Sequence, residues 1–567
     1  MEQQIPPEQP FQSKFQPLRN KKGRVILLLL IALVALIGGY FTLAKIRNLF
    51  PFNENRSFTT RQQTVEDKFQ KPFAQEEAGV IAMVTKKENY DSLVHEISTW
   101  ISDVEKETKY KIEIQVYENN VNKEKIKADL RNLYHLKNLQ GVVLVGNIPY
   151  ARAGIHCSSY PTQFLPCLDY ISSNAEPFDT QNLNIDDYFY TDIDNKCQYN
   201  QAHDAFYTDS CSKDSSEQPF WISRLTSPIH EAREANILLR NYFEKNHKFR
   251  DGQVSFDEKF LIYGPVLLDL EKSLREANVK NFLSILNLSR LHPYKNTGIK
   301  FLPPESSDNA FFDELNHKYE YVLYNGHGTP FFQQKNINYE TIVSKAPKAL
   351  LYEFGSCSVG RYLEERYLAG AYLFKTDALI ALAAQTPIFV AFQPNYHLQR
   401  FLASGKSIGD ASKMSNLGAY RILGDGTLKL RYYKEPPADA PKILLDKLEL
   451  DLEKLSLKEG QRQTTIAVKN VGKTTLVVNV NTAPPSKLYP VNAASVGTLN
   501  SDDLILQPNE SREIPLNVAI SDYGRVYNPS ETRPKAYVGK YSGFFYIYTN
   551  DPNNYIVRIP FEGEITE

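Results

Sequence analysis

"YVLYNGHGTP", Tyr321–Pro330, and "LLYEFGSCSVG", Leu350–Gly360, are built alike. In each, an apolar run breaks at glycine and then presents one reactive side chain, His327 in the first and Cys357 in the second. Short apolar runs bounded by turn residues read as buried strands. In open α/β sheets, functional groups gather in the crevice beyond the carboxyl ends of the strands, which is where both residues fall. Their separation of thirty residues (357 minus 327) leaves room for a crossover between parallel neighbours. The two strands are therefore expected side by side, with His327 and Cys357 facing one crevice.

A Cys–His pair has a defined use. The imidazole draws the thiol toward thiolate, which is the nucleophile, and then protonates the leaving amine. Gly326 and Gly328 let the backbone turn sharply around His327, and the amides of Gly328 and Cys357 can point at a developing oxyanion. Taken alone, His-Gly at a strand end is ordinarily a turn, and a lone cysteine in an α/β core is ordinarily a small buried hydrophobe. The combination, with glycine beside both and Cys357 apart from the other cysteines, is what singles the pair out.

The pattern extends outward from these strands. "GVIAMVT" (79–85), "YKIEIQVY" (110–117) and "GVVLVG" (141–146) read as strands, alternating with amphipathic helices at 90–107 and 122–136. The alternation resumes at "PFWISRL" (219–225) and a helix over 228–246. It then runs through "KFLIYG" (259–264), a helix from about Asp269 to Leu286, and the two strands above to "DALIALAAQ" (377–385). Strands separated by helices of this kind build a parallel sheet with helical crossovers. The reading is α/β: one large domain over 79–433 made of two tandem sheet units.

After the Pro-rich break "KEPPADAPK" (434–442), short alternating runs such as "TTLVVNV" and "GFFYIYTN" take over. They predict an all-β sandwich of about seven strands over 441–567.

The balance of 65 basic against 66 acidic residues, with no basic block in the soluble part, argues against a nucleic-acid partner. Val25–Ala44 carries no charge over twenty residues, about 30 Å as a helix and enough to cross a bilayer. Basic residues are denser before it than after it, which places 1–24 in the cytoplasm, 25–44 as a transmembrane signal anchor, 45–78 as a stalk, and the remainder outside, in the periplasm or at the cell surface.

Four of the five cysteines, Cys157, Cys167, Cys197 and Cys211, cluster in a loop-like region. In an oxidising compartment they read as two disulfides, with Cys157–Cys167 and Cys197–Cys211 the preferred pairing because short loops close most easily; Cys357 stays outside the bridges. Zinc on these cysteines with His156 or His203 is the alternative, which the lack of any CxxC pair disfavours. "TDIDN" (191–195) opens like a calcium loop, but Lys196 takes the third ligand position and no glycine follows. No metal or other cofactor is expected, with calcium left open.

"YNGHGTP" and "FGSCSVGRY" together resemble the His-Gly and small-residue–Cys motifs of the gingipain family of caspase-like cysteine endopeptidases. The likeness covers most of 79–431 and includes "GVVLVGNIPYA" (141–151), "DDYFYTDID" (186–194), "ISRL" (222–225) and "YRILGDGTLKLR" (420–431). It implies a caspase-like fold, His327 as general base and acid, Cys357 as nucleophile, and the amides of Gly328 and Cys357 as an oxyanion hole. "AAQTPI" (383–388), with Gln385 and Thr386, would line the pocket for the residue before the scissile bond. Where the family orients its histidine with an acid near the end of an earlier strand, this chain reads "LIYGPV" (261–266), with Asp269 or Glu271 just beyond. Asp269 could also favour a basic side chain in the substrate.

The C-terminal part resembles immunoglobulin-like modules of extracytoplasmic proteins. The expectation is a membrane-anchored extracytoplasmic cysteine endopeptidase acting on protein or peptide. The alternative is an inactive peptidase fold that serves as a surface binding or assembly factor.

Overall fold

The computed structural model describes residues 79–154, 184–185, 187–195, 197, 199–200, 205–207, 218–264, 298–303, 305–334, 336–385, 396–415, 420–430, 437–456, 461–481, 494–498, 504–520 and 539–566. The expected anchor (25–44) and stalk lie outside these residues, as do Cys157, Cys167, Cys211, Asp269 and Thr386. No helix of the described residues is long and apolar enough to cross a membrane.

The N-terminal strands form as their apolar content requires. β1 (Val80–Lys86) lies between β2 (Lys111–Tyr117) and β3 (Leu139–Val145), parallel to both. Helix α1 (Lys87–Glu107) buries Leu93, Ile97, Trp100 and Val104, residues three and four apart that make one apolar stripe. Helix α2 (Lys123–Lys137) starts at Asn122, whose side chain accepts from the Lys125 amide. β4 (Trp221–Leu225) runs parallel to β3, and α3 (Ala232–Arg250) follows it.

Arg152–Gly154, Asn184–Ile185, Tyr199–Asn200 and Ala205–Tyr207 form a small separate sheet. β5 (Asp257–Tyr263), β6 (Ile299–Leu302), β7 (Tyr319–Asn325), a short hairpin of β8 (Phe332–Gln333) and β9 (Ile337–Asn338), β10 (Ala349–Gly355), β11 (Ile380–Ala384) and β12 (Tyr420–Gly424) follow. Between them lie α4 (Asp308–Glu314), α5 (Tyr339–Lys345), α6 (Leu368–Lys375), α7 (Tyr396–Ala403) and α8 (Ile408–Ser415).

The two tandem units expected from the alternation are fused into one ten-stranded sheet, in the order β6-β5-β7-β10-β11-β12-β4-β3-β1-β2. β12 makes the join. It is antiparallel to β11 and pairs with β4 at Ile422 and Leu423. Asp425, just past β12, anchors it from below: its carboxylate accepts from Trp100 of α1 at 2.7 Å and from Asn246 and Arg250 of α3, each at 2.8 Å. Burial pushes this carboxyl up, but Arg250 and the donors Thr427 and Trp100 outweigh it and hold Asp425 below the usual carboxylate range.

The C-terminal part is a sandwich. One sheet has the order β13 (Ile443–Leu445), β15 (Gln461–Asn470), β19 (Ser511–Ile520), β17 (Ala494–Thr498). The other has β14 (Leu450–Ser456), β21 (Ile556–Thr566), β20 (Gly539–Thr549), β16 (Leu476–Asn481), β18 (Leu504–Leu506). Ile466, Val468 and Leu516 from the first sheet share one core with Val478, Ile547 and Ile559 from the second.

Strand alternation explains how this sandwich joins the rest. Phe545 and Ile547 of β20 point into its core, so Tyr546 and Tyr548 point out, and both belong to the core of the α/β part. His397 of α7 stacks on Tyr546 with ring centroids 4.0 Å apart, and its Nε2 lies 2.8 Å from the Tyr548 hydroxyl. Arg400 covers the Tyr548 ring at 4.4 Å, and Ser404 accepts from the Tyr555 amide at 3.1 Å.

Candidate active site

β7 and β10 are parallel neighbours in register from Tyr319↔Ala349 to Asn325↔Gly355. The strands end at one level, so residues two beyond each end, His327 and Cys357, emerge at one level too. The Gly326 amide donates to Gly355 O at 3.2 Å, carrying the pairing one step past the strands. His327 is exposed; Cys357 is partly buried and is a thiol outside any disulfide.

The two loops are packed together at Gly328. A Cβ at that position would lie 2.7 Å from Val359 Cγ1, 2.8 Å from Ser356 Cβ and 3.0 Å from Cys357 O. Only glycine allows this approach. The residue expected to supply an oxyanion amide is thus also the point where the histidine loop rests on the cysteine loop.

The cysteine loop is held by backbone bonds. The Gly360 amide donates to Ala384 O at the end of β11, and the Ala369 amide in α6 donates to Val359 O, both at 3.0 Å. Ser358, directly after Cys357, has φ +56°, a left-handed conformation that costs energy for a residue with a Cβ. A buried chain of side chains backs both loops. Gln333 Nε2 donates to Ser356 Oγ at 3.4 Å, and the Tyr372 hydroxyl of α6 donates to Gln333 Oε1 at 3.3 Å.

Gln385 sits immediately after β11 and is buried, its Nε2 donating to Gly360 O. Its Oε1 has no hydrogen-bond partner among the described residues. Of the expected substrate-binding residues, Gln385 is therefore beside the cysteine loop, while Thr386 and Asp269 fall outside the described residues. Cys197 is disulfide-bonded, and the other three clustered cysteines are outside the described residues, so the expected pairing rests there. Asp192, from the calcium-like stretch, accepts from Lys127 at 3.1 Å.

Three groups near the site were not singled out by sequence. Glu353 of β10 is buried and accepts from the Tyr321 hydroxyl of β7 at 2.5 Å. Tyr420 opens β12 opposite Ala384, and burial, then Glu353, then Cys357 push its phenol up. Arg224, at the end of β4, is buried and bidentate to Asp187, at 2.9 Å through Nε and 2.5 Å through a terminal nitrogen. It also donates to Ile148 O at 2.9 Å and lies 4.5 Å from the ring centroid of Tyr362, in the segment after Cys357. The Tyr367 hydroxyl donates to Thr226 O at 2.7 Å, so the segments that follow β4 and β10 meet.

No family model and no curated protein matches the sequence. Among solved structures, the chain is similar to the crystal structure of the Arg-specific cysteine proteinase gingipain R. Identity there is 12%, covering 88% of this chain and 100% of that chain, with a TM-score of 0.41. It is also similar to a structure described only as a protease, at 11% identity over 88% of this chain and 100% of the other, TM-score 0.45. A complex of Porphyromonas gingivalis RgpB pro- and mature domains matches at 12% identity over 86% and 100%, TM-score 0.40. Likenesses of this strength concern the course of the chain and say nothing of its chemistry.

Proposed function

We propose that this protein is a cysteine endopeptidase in which Cys357 and His327 cleave peptide bonds. The observation that carries the reading is the seat of Gly328 against Ser356 and Cys357 beyond two parallel strands in register. In the first step Cys357 Sγ forms a bond to the substrate carbonyl carbon, and its proton passes to His327. The oxyanion would meet the amides of Gly328 and Cys357. When the carbon–nitrogen bond breaks, His327 gives its proton to the departing amine, leaving a thioester. Water then attacks the thioester with His327 as base, and the proton returns to the thiolate as the acid half leaves.

Gln385, whose buried Oε1 has no hydrogen-bond partner among the described residues, is proposed to accept a hydrogen bond from the substrate residue before the scissile bond. Within the same proposal, residues 25–44 anchor the chain, with the tail cytoplasmic and the catalytic domain outside, and the sandwich serves as a spacer or binding module.

Hydrolysis of a quenched peptide library tests the chemistry. Cys357→Ala and His327→Ala should each remove most turnover, and the double variant should be scarcely worse than either, because the two act as a unit. Cleavage at the wild-type rate by both single variants would place the activity elsewhere.

A further inference from the structure

The turn that carries His327 also carries an apolar feature that folding does not use. Phe331 is 43% exposed and Phe332 48% exposed; they are adjacent and are the two phenylalanines among the exposed large apolar residues described. Isolated exposed apolar side chains are ordinary, but a neighbouring aromatic pair beside a reactive centre marks a contact surface.

The turn is held firmly. The Gln334 amide donates to His327 O at 2.9 Å, and Gly328 bridges to Gln333. Thr329 Oγ1 accepts from the amides of Phe331 at 3.2 Å and Phe332 at 3.1 Å, while the Leu368 amide of α6 donates to Pro330 O at 2.8 Å. His327 and Gln334 thus form the base of a tight hairpin, and the phenylalanines stand at its tip. Ordering an exposed aromatic pair in this way suits a surface that binds with little loss of conformational freedom.

We infer that Phe331 and Phe332 form an apolar subsite for side chains of the substrate on the leaving-amine side of the scissile bond. The inference rests on the peptidase reading above. The atom that His327 protonates is the amine of the first residue past the cleaved bond, so the chain beyond that atom starts against the histidine turn. An extended peptide advances about 3.3 Å per residue. The arm from His327 to Pro330 is three such steps, about 10 Å, so about three residues of peptide reach the tip. The occupant is an apolar side chain of the peptide substrate, drawn by burial against two aromatic faces.

The test uses quenched substrates identical up to the scissile bond, with Leu or Asp at each of the next three positions. The wild-type chain should prefer Leu roughly tenfold at one or more of them, the scale of discrimination an apolar pocket gives. In F331A/F332A the ratio of kcat/KM values should fall close to one, and F331L/F332L should keep most of it. A preference retained in the alanine variant, or a loss of turnover that leaves the ratio unchanged, would overturn the subsite.

A second measurement needs no turnover. The Cys357→Ala chain should bind the free-amine peptide of the leaving half more tightly with Leu than with Asp, and lose that difference when both phenylalanines become alanine. Equal binding of the two peptides would overturn the subsite even if hydrolysis proceeds by Cys357. Preserved discrimination without any hydrolysis would instead sink the peptidase reading alone.

Discussion

Asn325 and Gly355 face each other on the last rung of two parallel strands, and two residues beyond each stands one member of the Cys–His pair. The strand register therefore decides whether the pair can meet. A slip of one residue in either strand would send its side chains to the opposite face.

Gly328→Ala tests the seating of one loop on the other. The new methyl would lie under 3 Å from Val359 and Ser356, so the histidine turn must lift. An overpacked contact of this kind costs about 1–3 kcal/mol, and displacing a catalytic group by about 1 Å can cost about 100-fold in rate. The expected result is a fall in kcat/KM of about two orders of magnitude with a folded protein by circular dichroism. Full activity in that variant would mean the loops do not depend on this contact.

Arg224 and Asp187 give a stability prediction. Both are buried, and removing one leaves the other charged and unpaired, which costs about 3–5 kcal/mol. Asp187→Ala should lower the denaturation midpoint accordingly. Because Arg224 also stacks on Tyr362, in the segment that begins at Cys357, kcat should fall as well. Arg224→Lys should rescue little, since an ammonium cannot reproduce the bidentate contact or the stacking.

Parts of this architecture were legible in sequence for physical reasons. Strands β7 and β10 are buried along their whole length, so their sequences are mostly apolar, interrupted by Glu320 in the first and Glu353 in the second, and glycines mark the level at which they end. His327 and Cys357 stood out as the reactive residues past those glycines. Glu353 was hidden in such a run, because its partner Tyr321 comes from the neighbouring strand and not from nearby sequence. The Arg224–Asp187 pair joins segments thirty-seven residues apart across a stretch whose sequence shows no periodicity. Tyr546 and Tyr548 fall in "GFFYIYTN", where alternation alone does not tell that the face opposite Phe545 and Ile547 is buried by docking on α7. The fusion of the two sheet units through β12 depends on an antiparallel pairing that local patterns do not encode.

The docking of the sandwich on α7 should weaken in acid. Burial, with Arg400 second, lowers the His397 pKa to about 4 from 6.5. The folded chain thus binds this proton less readily than the unfolded chain, and stability rises with pH between those values. The His397 contribution is fully present above about pH 6.5, declines as the pH falls, and is gone below about pH 4. The shift corresponds to about 3 kcal/mol at most. Among the described residues, the groups around the ring are Arg400 of α7 and Tyr546 and Tyr548 of β20, with Arg558 of β21 beside Tyr546; none of them titrates in this window. Urea melts at pH 7 and pH 4.5 should differ less for His397→Gln than for the wild type. An identical pH dependence in the two would show that His397 does not carry the effect.

Covalent capture of Cys357 by a peptidyl electrophile, followed by mass spectrometry of the labelled peptide, tests the central claim most directly. If Cys357 and His327 form one active site, the native chain should be labelled at Cys357 at least about tenfold faster than denatured chain or His327→Ala. Free substrate peptide should slow the labelling. Equal labelling rates in all three, or labelling of the native chain away from Cys357, would contradict a shared site.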